Sequence, residues 1–148
     1  MAAPLSDEHF MRLAIAEAHK SPPAEKAFCV GCVVVRDGVV LATGFSRELP
    51  GNTHAEQVAL TKLSFDARDA TVYTTMEPCS VRLSGNTPCV QSCLRASVRR
   101  VVVGVMEPKN FVECEGVQLL RAAGVEVELL RGLEDECLAP NRHLDLVL

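Results

Sequence analysis

The chain has 148 residues, the size of one ordinary domain with a two- or three-layer core, and its 48% hydrophobic and 23% charged residues fit a globular protein. No apolar run approaches the ~20 residues of a membrane span, the N-terminal Met-Ala-Ala-Pro-Leu-Ser-Asp-Glu lacks the basic and apolar regions of a signal peptide, and a net charge of -4 argues against a nucleic-acid footprint. Seven cysteines, an odd number without a secretion signal, point to reduced thiols or metal ligation in a cytoplasmic protein rather than a disulfide framework.

No internal repeat, low-complexity tract or long linker interrupts the chain, so one domain over residues 1–148 is expected. Ser6 can cap a first helix, with Asp7 and Glu8 complementing its dipole and Phe10, Met11, Leu13, Ala14 and Ala18 at helical spacing. Ser21-Pro22-Pro23 stops it. Cys29 to Val35 and Val39 to Phe45 read as strands of a hairpin about Asp37-Gly38. A polar loop, Ser46 to Asn52, leads to a helix over His54 to Leu63. Val72 to Thr75 is a strand, Pro88 to Ala96 a helix, Val101 to Val105 a buried strand, and Gly116 to Ala123 a helix. Val125 to Leu130 is the last strand, and a short helix from Glu134 ends near Pro140. Late strands alternate with helices and so run parallel, whereas the first pair is antiparallel; the expected fold is a mixed sheet covered by helices on both faces.

Two segments carry chemistry: Thr53-His54-Ala55-Glu56, and Glu77-Pro78-Cys79-Ser80 followed by Thr87-Pro88-Cys89. One imidazole and two thiolates make the three-ligand set of a catalytic zinc, whose open position lowers the pKa of water to roughly 7. Glu56 stands two residues from His54, placed to carry protons rather than to ligate; this H-x-E then P-C pattern is that of zinc deaminases. Thr53 and Thr87 are good N-caps, which would set His54, Glu56 and Cys89 in first helical turns, where the dipole favours a thiolate. Thr53-x-x-Glu56 also spells a capping box in which Glu56 merely bonds back to Thr53. Deaminases commonly place two residues between the cysteines, but nine separate Cys79 from Cys89 here, and Cys93 competes; Cys89 is preferred because it starts the helix. Cys29-x-x-Cys32 would point to opposite faces of a strand, and Cys29, Cys32, Cys114 and Cys137 are read as core or surface thiols.

With these motifs quoted, the sequence resembles the deaminases of riboflavin biosynthesis in their fungal form. The resemblance is carried by Cys29-Val30-Gly31-Cys32, by Gly44-Phe45-Ser46-Arg47-Glu48-Leu49-Pro50-Gly51-Asn52-Thr53-His54-Ala55-Glu56, and by Tyr73-Thr74-Thr75-Met76-Glu77-Pro78-Cys79 through Asn86-Thr87-Pro88-Cys89. The wide cysteine spacing belongs to that group. It implies a cytidine deaminase-like three-layer α/β/α sandwich with a mixed, roughly five-stranded sheet, and one zinc ion per chain on His54, Cys79 and Cys89. It also implies hydrolytic loss of the 2-amino group from 2,5-diamino-6-(ribitylamino)-4(3H)-pyrimidinone 5′-phosphate. Bacterial relatives are fused to a reductase, and Ala27-Phe28 and Asn86 here depart from their Asn-Pro and basic residue, so shifted substrate contacts are expected. The candidates are Arg47, Glu48, Asn52, Arg82, Asn86 and Glu107: the two arginines for the phosphate, Glu48 or Asn52 for the ring or ribityl hydroxyls. The expected partner is this small phosphorylated pyrimidine, with no nucleic acid or membrane, and a homodimer is the expected assembly. The alternatives are a cytidine, dCMP, guanine or other nucleobase deaminase and, from another class, a nucleic-acid editing module or a partner-binding pseudoenzyme. Low aromatic content, 4%, and retention of Glu56 disfavour the last two.

Overall fold

The computed structural model describes residues 6–82, 87–111 and 114–148. Helix α1 (Asp7–Ala18) opens on Ser6, whose side chain accepts from the His9 amide at 3.1 Å. Strands β1 (Gly31–Arg36) and β2 (Val39–Phe45) form the hairpin. Then follow α2 (Ala55–Lys62), β3 (Thr71–Met76), α3 (Cys89–Arg95), β4 (Arg100–Val105), α4 (Gly116–Ala122), β5 (Glu126–Leu129), α5 (Glu134–Leu138) and a 3-10 turn (Ala139–Asn141). The order of element types is the expected one. Boundaries shift by one or two residues: β1 starts at Gly31, not Cys29, because the Cys29 amide and carbonyl pair with the Asn141 side chain and the Val30 amide donates to Ser46 Oγ instead of joining the ladder.

The five strands lie in the order β2-β1-β3-β4-β5. β1 runs antiparallel to both β2 and β3, while β3, β4 and β5 are parallel. Alternation along the central strands feeds two cores. Cys32, Val34, Val72, Val101 and Val103 face one side, with Ala55, Ala59, Val90, Val117 and Leu120 of α2, α3 and α4. Val33, Val35, Tyr73 and Val102 face the other, with Phe10, Met11, Ala14 and Ile15 of α1 and Cys137 of α5. This period-two division makes the three layers. A side core of Phe28, Met76 and Leu138, with Phe111, Leu144 and Leu146 against it, sits at the end of β3 where the chain leaves the sheet. No described helix is long and apolar enough to cross a membrane.

Candidate active site

The start of α2 is pressed onto the hairpin. A Cβ at Gly44 would collide with the Ala55 carbonyl and the Ala59 amide, so glycine lets the helix approach the strand closely. The cap is one residue later than expected. His54, extended at φ -97° and ψ 157°, precedes the first helical residue, and its amide donates to Gln57 Oε1 at 3.4 Å. Thr53 does not cap: its hydroxyl donates to the Leu49 carbonyl and accepts the Leu49 amide, at 2.8 and 3.2 Å. The capping box through Glu56 is therefore not formed, and Glu56 is free of that duty. At α3 the same shift holds. Pro88, not Thr87, precedes the helix, and Cys89 is its first residue.

Cys79 lies just past the C-terminal end of β3, the edge of an α/β sheet where sites collect. The Cys89 amide donates to Cys79 Sγ at 3.1 Å, and the Val90 amide to the Cys79 carbonyl at 3.1 Å, so the start of α3 is docked on this residue. His54 Nδ1 is 3.5 Å from each sulfur, and one ligand atom from each of the three residues lies within 4.8 Å of the others. Ordinary zinc–nitrogen and zinc–sulfur bonds in a tetrahedron place such atoms about 3.6 Å apart, so this donor set fits zinc. The two thiols titrate in opposite directions. The hydrogen bond from Cys89, and next that with His54, hold Cys79 down to about 4 against burial, while Cys89 is pushed up by the same pairing and by its own burial. A thiolate is thus already favoured at Cys79, as metal binding requires. Cys93 lies in the core and is not among the three; burial, mainly, pushes its thiol up. Cys29 and Cys32 are separated as expected, Cys32 in the core and Cys29 against Arg47 and the Ser21–Pro22 carbonyls.

Glu56 is buried, 4% exposed, on the same cavity as His54 and Cys79. Its Oε1 lies 2.5 Å from Thr74 Oγ1. Burial raises its pKa above the ordinary carboxyl value, opposed by hydrogen bonds from Cys89 and Thr74. A buried carboxyl beside the three donors is placed to carry a proton.

The cavity, about 750 Å³ counting the solvent at its mouth, is lined by His54, Cys79 and Glu56 and by Phe28 and Phe111, whose rings pack with centroids 5.0 Å apart. Of the expected substrate contacts, Asn52, Arg82 and Glu107 line it. Arg47 and Glu48 do not. Arg47 donates to the Phe28 and Pro22 carbonyls, at 3.2 and 2.6 Å, and to Ser21 Oγ at 3.0 Å. Glu48 pairs with Lys62 at 2.6 Å and accepts the Phe45 amide at 3.3 Å. Asn86 lies outside the described residues. Arg82, 7% exposed, donates to Gln57 Oε1 at 2.8 Å, the Thr87 carbonyl at 3.1 Å and the Asn52 carbonyl at 2.6 Å, knitting the loop before α2 to the approach to α3. Glu77 is consumed by amides, Glu107 N–H at 3.3 Å and Val117 N–H at 3.0 Å. Glu107 Oε2 is buried without a partner among the described residues, and burial first, then the Cys79 charge, pushes its carboxyl up to about 8. Sequence reasoning missed Thr74, Lys26, Phe28 and Phe111 on or behind this cavity. Only the inward period of β3 could have singled out Thr74; the others carry no local signal.

Comparison with known proteins follows the same lines. The profile of the cytidine and deoxycytidylate deaminase zinc-binding region matches residues 4–105. A diaminohydroxyphosphoribosylamino-pyrimidine deaminase of Schizosaccharomyces pombe is 44% identical over 140 residues, 91% of this chain and 35% of that protein. The crystal structure of Aspergillus oryzae Rib2 deaminase in complex with DARIPP, a C-terminal deletion mutant, superposes with a TM-score of 0.81 at 34% identity, covering 93% of this chain and 90% of that one. A dCMP deaminase of the cyanophage S-TIM5 superposes at 0.65 with 26% identity, over 84% and 96% of the two chains. The chain spans about a third of the length of the first curated relatives it matches.

Proposed function

This chain belongs to the cytidine and deoxycytidylate deaminase zinc-binding family, and from that premise we propose that it hydrolyses the 2-amino group from 2,5-diamino-6-(ribitylamino)-4(3H)-pyrimidinone 5′-phosphate, releasing ammonia. The observation that carries the reaction is the meeting of His54 Nδ1 and the Cys79 and Cys89 sulfurs beside buried Glu56 at the floor of an open cavity. The choice of ring is supported by the riboflavin-biosynthesis deaminases to which the chain is similar, including the Aspergillus oryzae enzyme whose structure holds DARIPP.

His54, Cys79 and Cys89 hold the metal; zinc, when bound there, supplies the Lewis acidity that makes water a nucleophile near neutral pH. Glu56 accepts the proton that water loses as its oxygen bonds to the ring carbon. It then gives that proton to the exocyclic amine, which departs as ammonia while the ring carbon keeps the oxygen. Thr74 holds Glu56 in place during both transfers. Phe28, Met76 and Phe111 supply the apolar walls against which a flat ring packs, and Glu107 offers its unpartnered oxygen to ring N–H groups. A cytoplasmic setting is part of this reading, in which Cys79 and Cys89 ligate the metal and the other five cysteines stay reduced. The assembly expected is a homodimer, checked by mass from light scattering.

The test is an ammonia-release assay on this pyrimidinone phosphate, on cytidine, dCMP and guanine, each with and without a chelator. Chelator-sensitive turnover of the pyrimidinone phosphate above the other three is expected. Preference for cytidine or dCMP would overturn the substrate, and chelator-resistant turnover would overturn the metal's role.

A further inference from the structure

The cavity is rich in carboxyl groups. Glu56, Glu77 and Glu107 line it, and a phosphate monoester adds nearly two negative charges. Cations must offset this, and the two arginines expected to do so are engaged elsewhere. Arg47 does not line the cavity and is held by the Phe28 and Pro22 carbonyls. Arg82 lines the cavity, but its terminal nitrogens are engaged by Gln57, Thr87 and Asn52, which leaves only its buried Nε without a partner among the described residues.

One further cation lines the cavity. Lys26 is exposed at its mouth and has no hydrogen-bond or ion-pair partner among the described residues. The backbone that presents it is fixed. Asn141, fully buried, accepts the Cys29 amide at 2.6 Å and donates to the Cys29 carbonyl at 3.0 Å, and Arg47 holds the Phe28 carbonyl at 3.2 Å. The ammonium therefore rides on an anchored segment and is itself uncommitted, the condition under which a lysine binds phosphate as a point charge.

We propose that Lys26 grips the 5′-phosphate of the substrate at the cavity mouth and so selects phosphorylated substrates over free ones. Arg47, which donates to the Pro22 and Phe28 carbonyls on either side of Lys26 in the chain, is a positioning residue for the segment that carries it. The inference rests on the reading of a phosphorylated aminopyrimidine substrate, and two substrate pairs separate the failure of one from that of the other.

Zinc-loaded full-length protein, Lys26→Met and Lys26→Arg are compared in ammonia release. One pair is the ribitylamino pyrimidinone phosphate and its dephosphorylated form; the other is dCMP and deoxycytidine. Lys26→Met is expected to raise KM for the phosphorylated pyrimidinone roughly ten- to a hundredfold, with kcat and the dephosphorylated substrate unaffected, and Lys26→Arg to restore most of the difference. An unchanged KM ratio in Lys26→Met overturns the role of Lys26 and leaves the proposed function standing. Turnover of dCMP without turnover of the pyrimidinone pair overturns the proposed function, and the ratio of dCMP to deoxycytidine then decides Lys26 by the same measure. Turnover of neither pair overturns both.

Discussion

The Thr74 hydroxyl stands 2.5 Å from Glu56 Oε1 and 2.9 Å from the Met76 carbonyl oxygen, with one proton for two acceptors. When Thr74 donates to Glu56, the acid is a carboxylate ready to take a proton. When Thr74 turns its proton to Met76, a protonated Glu56 can donate to Thr74 in return. The contact serves both states without moving a heavy atom, as a carrier that must load and unload in one cycle requires. Thr74→Val, nearly isosteric at a fully buried site, is expected to keep the fold and one zinc per chain while lowering kcat about tenfold or more. Glu56→Gln is expected to lose roughly a hundred- to ten-thousandfold in kcat with metal retained. Steady-state kinetics beside elemental analysis checks both; near-normal kcat in Glu56→Gln removes Glu56 from the proton path.

Removing the imidazole acts on the ion rather than on the proton. His54→Ala is expected to purify with little zinc, since two thiolates alone leave the tetrahedron short of a ligand. Elemental analysis reads the result directly. A full zinc complement in that variant would show that the ion sits elsewhere.

Arg82 is expected to act chiefly through architecture. Arg82→Ala leaves the Asn52 and Thr87 carbonyls and the Gln57 side chain without their shared donor. Burial of such unmatched groups is expected to cost about 2–4 kcal/mol in urea unfolding. Lysine, with one nitrogen where the guanidinium offers a planar fork, should rescue little of it. A variant as stable as the parent would show that water replaces the arginine.

Glu107 gives a pH dependence with a definite sign. Its folded pKa, pushed up to about 8, lies above the ordinary 4.5. Between these values the folded state holds more protons than the unfolded, so stability falls as pH rises from about 4.5 through 8. Glu107→Gln removes the ionisation. The substrate-free variant is expected to match or exceed the parent's melting temperature at pH 9 and to gain least at pH 4. Parallel melting curves across that range would show that the carboxylate carries no burial penalty.

The sequence announced the chemistry more clearly than the geometry around it. His54, Cys79 and Cys89 were legible because zinc demands few residue types, and each sits where an element begins or ends. The caps were misplaced by one residue because Thr53 and Thr87 are better N-caps in isolation than His54 or Pro88; Thr53 is taken instead by Leu49 four residues back. Arg47 and Glu48 were read as substrate contacts because a polar loop next to a catalytic motif does not reveal which way its side chains turn. Lys26 and Asn141 gave no signal, since the meaning of each depends on a partner or a void contributed by distant chain.

The reciprocal pairing of Asn141 with Cys29 bridges 112 positions. All three metal donors and the proton carrier have been polymerised by residue 89, whereas the clamp that steadies the entrance arrives only with residue 141. In order of synthesis, every candidate metal donor thus precedes the side chain that clamps the Cys29 segment, so truncation before residue 141 would spare the donor set and release that segment.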